Sequence, residues 1–328
     1  MHPAFSVIFL TTLIGVGQGL FLALYTGQVY SMMKLLPTQD SMSFYAMGSL
    51  IALGFLVAGL LASFFHLGRM ERAWRSASKW RTSWLSREVI ILPIAIGLVA
   101  LYGAAHYLGW NEPLFILAQT QPIDLTQIIG ALATVATLTL FICTGMIYAS
   151  LKFLQEWHSP LTVINYILLG GASGFTLAAA FSAYIGNDII NFYALWAIVL
   201  TITAFITRSA SLVRNNHLKP KSNPQTAIGV RHTIISQKAQ GAMCGSFNTR
   251  EFFHGQSECR LKMLRTIFLM MVFLIPIGLL LAATYSVEEA LTLFIVAFIV
   301  QYLGLIVERW YFFSEAKHPQ NLYYQSVS

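Results

Sequence analysis

Charged side chains are scarce in this chain. Asp, Glu, Lys and Arg together make up 10% of its 328 residues, whereas hydrophobic residues make up 56%. Such a composition is typical of helical membrane proteins and excludes an ordinary soluble domain. The apolar runs are long and do not alternate with polar residues, which excludes a membrane β-barrel. We therefore predict an all-α polytopic membrane protein.

Eight stretches contain no Asp, Glu, Lys or Arg and are long enough to cross a bilayer, for which a helix needs about 20 apolar residues. The sequence therefore predicts a bundle of eight transmembrane helices, forming a single domain over residues 1–328. We expect Glu289 and Glu308, which flank the shortest span, to extend to the membrane surfaces. The predicted spans are 5–33, 43–67, 89–108, 126–151, 161–186, 189–207, 266–286 and 290–307.

Lys and Arg are almost missing from one side of the predicted bundle. Of the 20 residues of these two types, only Lys34 lies in a loop on the side opposite the N-terminus. The positive-inside rule places the other, basic side in the cytoplasm. We therefore predict cytoplasmic N- and C-termini and two long basic cytoplasmic loops, 66–88 and 208–265. The net charge of +7 is then a topological signal rather than a mark of nucleic-acid binding.

Cysteine is rare as well, with three residues in the chain. Cys143 lies in a predicted span, and Cys244 and Cys259 lie in a basic loop at a spacing that matches no zinc or iron–sulfur motif. We therefore expect no metal site and no iron–sulfur cluster in this chain.

The histidines offer little support for a haem. An axial pair must face one iron, but His66 and His106 lie at opposite ends of their predicted spans. His158 lies at the level of His66, although only one residue of that pair is near a helix interior. We expect no haem, and a haem b-containing cytochrome subunit stays an alternative that a visible absorption spectrum would test.

Ionisable residues are absent from the middle of the predicted spans. Ion-coupled transporters and proton pumps usually carry such residues there, because their energetic cost is tolerated only for function. The absence disfavours a membrane transporter, which remains a second alternative. It favours an anchor, or a protein whose chemistry takes place at one interface.

Polar residues gather at the predicted cytoplasmic interface. A quinone site needs an apolar cleft, hydrogen-bond donors for two carbonyls and a proton source, and a histidine supplies both donor and proton near neutral pH. We therefore predict a quinone-binding site near His66. Its alternative role is that of an ordinary interfacial histidine, and the alternative for Glu308 and Arg309 is a local ion pair that ends a helix. The predicted quinone-binding residues are His66, Gln18, Arg69, Arg81, Ser86, Glu88, Glu308 and Arg309.

Gln18 lies within an apolar span, in the run Gly15-Val16-Gly17-Gln18-Gly19. We expect the glycines to allow close helix packing. A buried amide must find hydrogen-bond partners. For Gln18 these are either a neighbouring helix or a ligand carbonyl.

The first basic segment has two interpretations. Residues 71–79 place Trp74 among basic residues, as a short interfacial helix would. The same segment equally suits a surface that recognises a soluble partner. The predicted partner-docking residues are Arg72, Arg75, Arg250 and His254.

Four segments resemble the anchor subunit of the dimethyl sulfoxide reductase type, the DmsC family. The resemblance implies an eight-helix, haem-free, non-catalytic anchor that binds quinone or quinol and holds two soluble subunits, one ferredoxin-like with iron–sulfur clusters and one with catalytic molybdopterin. It also implies that His66, the histidine of the HLG motif, takes part in quinol binding. The segments read MHPAFSVIFLTTLIGVGQGLFLAL, HLGRMERAWRSASKWRTSWLSRE, GSFNTREFFHG and VERWYFF.

The charge bias departs from the dimethyl sulfoxide reductase complex, which works outside the inner membrane. Here it places the basic loops, with His66, in the cytoplasm of a bacterial inner membrane. The pattern is closer to the SoeC-type anchors of membrane-bound sulfite dehydrogenases, whose soluble subunits stay in the cytoplasm and reduce quinone. The type of quinone, menaquinone or ubiquinone, cannot be read from an anchor.

Overall fold

The fold is a bundle of apolar helices. In the computed structural model, described for residues 3–65, 67–117, 121–236, 255–286 and 289–319, eight helices are long and apolar enough to cross a membrane. The prediction of an all-α protein with eight spans is therefore confirmed. The helices are α1 Phe5–Met32, α2 Ser41–Phe64, α3 Trp84–Tyr107, α4 Leu125–Ala149, α5 Pro160–Ile185, α6 Ile190–Asn216, α7 Glu258–Tyr285 and α8 Ala290–Glu315.

The described parts of the connections contain a few short elements. A ten-residue 3₁₀-helix, Met70–Lys79, forms where the sequence predicts a short interfacial helix, and a helical turn spans Pro224–Ile228. Between α3 and α4 lies an antiparallel hairpin of β1, Pro113–Leu117, and β2, Gln121–Asp124. We call the end of the bundle that carries the connections after α2, α4 and α6 the basic end. The opposite end, which carries the connections after α1, α3 and α5, is the hairpin end.

Four helices extend past the charge-free runs that predict them. α3 begins before Arg87 and Glu88, α6 includes Arg208, α7 begins at Glu258, and α8 continues through Glu308 to Glu315. The expectation that Glu308 extends to the membrane surface is wrong, because its side chain is only 1% exposed. Its burial is possible because two arginines lie beside it, as described below.

α1 and α5 form the centre of the bundle and are its most buried spans. They cross at glycines: a Cβ atom on Gly19 would lie 2.0 Å from the carbonyl oxygen of Gly170, and one on Gly174 would lie 2.0 Å from the carbonyl carbon of Gly19. Only residues without side chains permit such a close approach. The expectation that the glycines of α1 serve helix packing is therefore confirmed.

Packing also ties the segments at the basic end together. Trp157, in the loop between α4 and α5, donates its indole N–H to the carbonyl oxygen of Phe312 in α8 at 2.9 Å. Ile8 of α1 and Phe313 join the same buried cluster. The starts of α1 and α5 and the end of α8 are thereby held in fixed relative positions.

Candidate functional site

A narrow pocket lies in the half of the bundle nearer the basic end. It lies between α1, α3, α4, α5 and α8, and its cavity volume is about 20 Å³. Three of the predicted residues, Gln18, Glu88 and Arg309, line it together although they are far apart in the sequence. The other lining residues are Leu10, Thr11, Thr12, Ile14, Gly15, Phe141, Thr144, Tyr166, Leu169, Gly170, Ser173 and Leu305.

Gln18 occupies the α1 wall of this pocket. It is 2% exposed, and its Nε2 donates to the backbone carbonyl of Thr137 on α4 at 3.0 Å. Of the two partners that the sequence allows, the structure thus supplies the neighbouring helix. The same bond fixes the direction in which the amide faces the pocket.

Glu88 projects from the first turns of α3. It is 8% exposed and accepts a hydrogen bond at Oε1 from the Thr144 hydroxyl at 2.5 Å. The helix begins just before it, because the Ser83 side chain accepts a hydrogen bond from the Ser86 backbone N–H and caps α3. A carboxyl group at this position can take up or release a proton beside the apolar wall.

Arg309 closes the pocket from α8. Its guanidinium lies over the ring of Tyr166, with 3.8 Å between Cζ and the ring centroid, and its Nη1 lies 3.3 Å from Glu308 Oε2. The stacking holds the group flat against α5, and the carboxylate balances its charge. The remaining N–H groups of an arginine can then act as donors toward the pocket.

Glu308 turns away from this pocket into a second, smaller cavity of about 10 Å³. Its Oε1 lies 2.7 Å from Nε of Arg208 on α6, and Arg208 also approaches Glu315 at 3.9 Å. Arg309 lines both cavities, which are therefore neighbours. The cluster Arg208, Glu308 and Arg309 is almost completely buried.

Three other predicted residues have different surroundings. The buried Ser86 donates its hydroxyl to the carbonyl of Ser76 and so joins the 3₁₀-helix to the start of α3. Arg81 is exposed and stacks on Trp80, with 5.3 Å between Cζ and the ring centroid. Arg69 is exposed at the N-terminus of the 3₁₀-helix. The pocket does not bring these three together with Gln18, and their role in binding stays a prediction.

Several predicted residues lie outside the two cavities or outside the described part of the chain. His66, Arg250 and His254 lie outside the described residues. The described docking residues, Arg72 and Arg75, are exposed on the 3₁₀-helix.

Sequence reasoning misses several residues of the two cavities. Tyr166 and Thr144 look like ordinary members of apolar spans, and nothing in their local sequence distinguishes them. Arg208 carries a signal, since a single arginine follows the apolar run of α6, but the charge-free criterion assigns it to the long basic loop. The structure places it inside the bundle, opposite the Glu308-Arg309 pair.

Two histidines considered as haem ligands make local hydrogen bonds. His106 Nδ1 lies 2.6 Å from the Ser41 hydroxyl at the hairpin end, and His158 Nδ1 lies 2.6 Å from the carbonyl of Ala149. Within the described part of the chain, no group of three or more His, Cys, Asp or Glu side chains is placed to hold a metal ion.

Comparison with known proteins agrees with this architecture. A family model described as DMSO reductase anchor subunit (DmsC) matches residues 1–324. The chain is also 60% identical, over 328 residues and the full length of both proteins, to the C subunit of the sulfite dehydrogenase of Allochromatium vinosum.

Proposed function

The chain belongs to the DMSO reductase anchor subunit (DmsC) family, and we propose that it is the quinone-reactive membrane anchor of a molybdopterin oxidoreductase complex. In this proposal the chain carries no redox cofactor of its own. It holds a ferredoxin-like iron–sulfur subunit and a molybdopterin catalytic subunit at the membrane. It also binds the quinone with which those subunits exchange electrons.

The observation that carries the proposal is the convergence of Gln18, Glu88 and Arg309 in one pocket with apolar walls. A quinone ring needs apolar surfaces on its faces and donors at its carbonyl oxygens. The amide of Gln18 and the guanidinium of Arg309 can donate, while the carboxyl of Glu88 can exchange a proton. The pocket is narrow, so the ring enters only if flexible side chains move, and the half-buried Leu10 is one that can.

The relative supports a direction of electron flow. That protein is named as part of a sulfite dehydrogenase, an enzyme that removes electrons from its substrate. We propose the same direction here, from the soluble subunits into menaquinone or ubiquinone. The charge bias of the loops supports cytoplasmic termini in a bacterial inner membrane, with the quinone pocket and the soluble subunits near the cytoplasmic face.

The surface proposed for docking includes the 3₁₀-helix, Met70–Lys79. Arg72 and Arg75 are exposed on it, and Trp74 beside them is 71% exposed. Arginine and tryptophan are enriched where proteins bind one another, and a stable interface takes about 800 Å² per partner. Arg250 and His254 lie outside the described residues, and their part in docking is proposed from the sequence alone.

Replacing Glu88 by Gln tests the quinone site. The substitution keeps the size of the side chain and its ability to accept from Thr144 but removes the exchangeable proton. We expect electron transfer from sulfite, or from the native substrate of the complex, to quinone to fall by about a hundredfold or more, which is the low end of what a general acid–base group contributes. Transfer to an artificial dye that accepts electrons directly from the soluble subunits should stay at the wild-type rate.

The matched control is Glu112→Gln, a change of the same type at an exposed position of the hairpin end. Both activities of that variant should equal those of the wild type. Full quinone-linked activity of Glu88→Gln would remove Glu88 from the site and leave the proposal without its central residue.

A further inference from the structure

A third cavity, of about 380 Å³, lies at the hairpin end. It is bounded by the last turns of α1 and α3, the first turns of α2 and α4, and the loop that joins α1 to α2. Most of the residues that line it are polar or charged, so an apolar quinone ring suits it poorly. Because it can hold far more than a single water molecule, it has room for the polar group of a ligand.

The cavity lies at the level where the headgroups of a bilayer are found. α1 ends at Met32 and α2 begins at Ser41, and both residues line the cavity. The ends of membrane-spanning helices meet the headgroup region. Tyr107 and Trp110 at the end of α3 are exposed, as aromatic residues at that level commonly are. The headgroup of a membrane lipid can therefore reach this cavity.

Lys34 lines the cavity although two features disfavour a lysine at this position. It is the only Lys or Arg in the loops of the hairpin end, so it departs from the charge bias of the chain. Its backbone is left-handed, with a φ of 60°, a conformation in which glycine is usual after a helix end and other residues are strained. A glycine would suit both the topology and the backbone. The side chain of Lys34 therefore indicates a function of its own.

Asp124 brings the opposite charge to the same cavity. Its Oδ1 accepts hydrogen bonds from the Thr126 hydroxyl at 2.6 Å and from the Gln127 backbone N–H at 2.9 Å, which fixes the carboxylate at the start of α4. Within the described part of the chain, its Oδ2 makes no hydrogen bond and the Lys34 ammonium makes no ion pair. One cavity thus offers a cation and a carboxylate oxygen that do not neutralise each other.

Hydrogen bonds between helices hold the other walls of the cavity in place. The Ser41 hydroxyl lies 2.6 Å from His106 Nδ1 and accepts from the Asn111 amide at 3.0 Å. Gln28 of α1 donates to the Thr126 hydroxyl of α4 at 2.7 Å. Walls that are positioned before a ligand arrives lose little conformational entropy when it binds.

Exposed apolar side chains adjoin this polar cavity in the sequence. Met33 and Leu35 flank Lys34, and Met42 follows Ser41, and all three are more than half exposed. A polar cavity bordered by exposed apolar surface suits an amphipathic ligand, which places its charged group inside and its apolar part outside.

We propose that this cavity binds the headgroup of an ethanolamine phospholipid, with the phosphate at Lys34 and the ammonium at Asp124. This inference is independent of the proposed function. An ammonium has three N–H donors for a carboxylate, whereas the trimethylated nitrogen of choline has none. A headgroup with a net negative charge is disfavoured, because Asp124, Asp40 and Glu112 belong to the same end of the bundle.

The test is native mass spectrometry of the assembled complex, delipidated in detergent and titrated with dioleoyl phosphatidylethanolamine. Replacing Lys34 by Gly should weaken binding of this lipid by about tenfold or more, the effect of losing a hydrogen bond to a charged group. The Tm of the delipidated variant should equal or exceed that of the wild type, since glycine adopts the left-handed backbone without strain. Loss of binding with an undiminished Tm separates a ligand contact from a structural role.

Asp124→Asn is the second variant. Asparagine caps a helix as well as aspartate does, so this change removes the charge and keeps the start of α4. It should also weaken binding of the lipid by about tenfold or more. The matched control is Asp40→Asn, the same change at another helix cap, where the side chain accepts from the Ser43 backbone N–H at 2.6 Å but does not line the cavity. That variant should bind as the wild type does.

Comparison of ligands identifies the occupant. Dioleoyl phosphatidylcholine and dioleoyl phosphatidylglycerol should each bind the wild type about tenfold more weakly than the ethanolamine lipid. Equal binding of all three lipids, or unchanged binding of the ethanolamine lipid by both Lys34→Gly and Asp124→Asn, would overturn the proposal. If O-phosphoethanolamine alone binds as tightly as the lipid, the site takes a soluble zwitterion and the assignment to a lipid is wrong.

Discussion

Two polar side chains that line the pocket are held in position by hydrogen bonds, stacking or ion pairs with other groups of the protein. The Gln18 amide is committed by one N–H to α4, and the Arg309 guanidinium is held between Tyr166 and Glu308. Groups that are positioned before a ligand arrives lose little conformational entropy when it binds. The polar edge of this pocket is therefore preorganised, even though the pocket is narrow.

Gln18→Leu tests the contribution of a single donor. The loss of one hydrogen bond to a quinone carbonyl costs about 1 kcal/mol, which corresponds to about a fivefold rise in the KM for quinone. The measurement is the quinone dependence of turnover in the assembled complex, with kcat compared separately.

Gln301 provides the matched control for that experiment. It is another buried glutamine that donates between helices, to the Thr201 hydroxyl at 3.2 Å and the Val272 carbonyl at 3.3 Å, but it lies outside the pocket. Gln301→Leu should lower stability without changing the KM for quinone. An equal KM change in both variants would mean that Gln18 acts through packing alone.

At the scale of the elements, the close crossing of α1 and α5 sets the position of the pocket. The crossing places Gly15 and Gln18 of α1 opposite Gly170 and Ser173 of α5 along one wall. A wider separation of these helices would open the wall and move Gln18 away from α4. The glycines thus set the separation of α1 and α5, and with it the geometry of the pocket.

Gly19→Ala should therefore prevent assembly of the bundle. The added methyl group would meet the backbone of Gly170 at 2.0 Å, and backbone atoms cannot move aside as flexible side chains can. We expect most of the protein to be lost from a monodisperse peak on size-exclusion chromatography in detergent. Gly278→Ala in α7, where no described atom lies within 4 Å of the added carbon, is the control and should behave as the wild type. Normal recovery of Gly19→Ala would contradict this packing.

The ends of the helices show which features of the fold can be predicted from the sequence and which cannot. Apolar runs without charge predict all eight spans, because the bilayer imposes their length. The same criterion ends α6 at Arg208 and α8 at Glu308, whereas both helices continue. Only contact between α6 and α8 shows that these charges neutralise each other inside the bundle. Such contacts depend on how each helix is rotated, which one sequence does not reveal.

The residues of the candidate site also form two groups: those that can be identified from the sequence and those that only the structure reveals. Gln18, Glu88 and Arg309 stand out in the sequence as polar residues beside or within apolar runs. Tyr166 and Thr144 do not, because a tyrosine or threonine in a membrane helix is common. Their involvement follows from packing across helices that are distant in the chain.

For the whole molecule, the placement of the basic end in the cytoplasm is testable directly. A fluorescent protein that matures only in the cytoplasm should be fluorescent when fused after Lys317, and alkaline phosphatase at that position should be inactive. A fusion after Asn187, in the hairpin-end loop between α5 and α6, should give the opposite pair of results. Active phosphatase after Lys317 would place the quinone pocket near the outer face instead.

The central claim is that a quinone binds between α1, α3 and α8, and photoaffinity labelling tests it most directly. The assembled complex in membranes would be illuminated with a short-chain azidoquinone and digested, and the labelled peptides would be identified by mass spectrometry. The account predicts label on the segments around Gln18 and Arg309 that excess unlabelled quinone removes, and less label in Glu88→Gln. Competable label confined to the hairpin end, around His106 and Asn111, would contradict it.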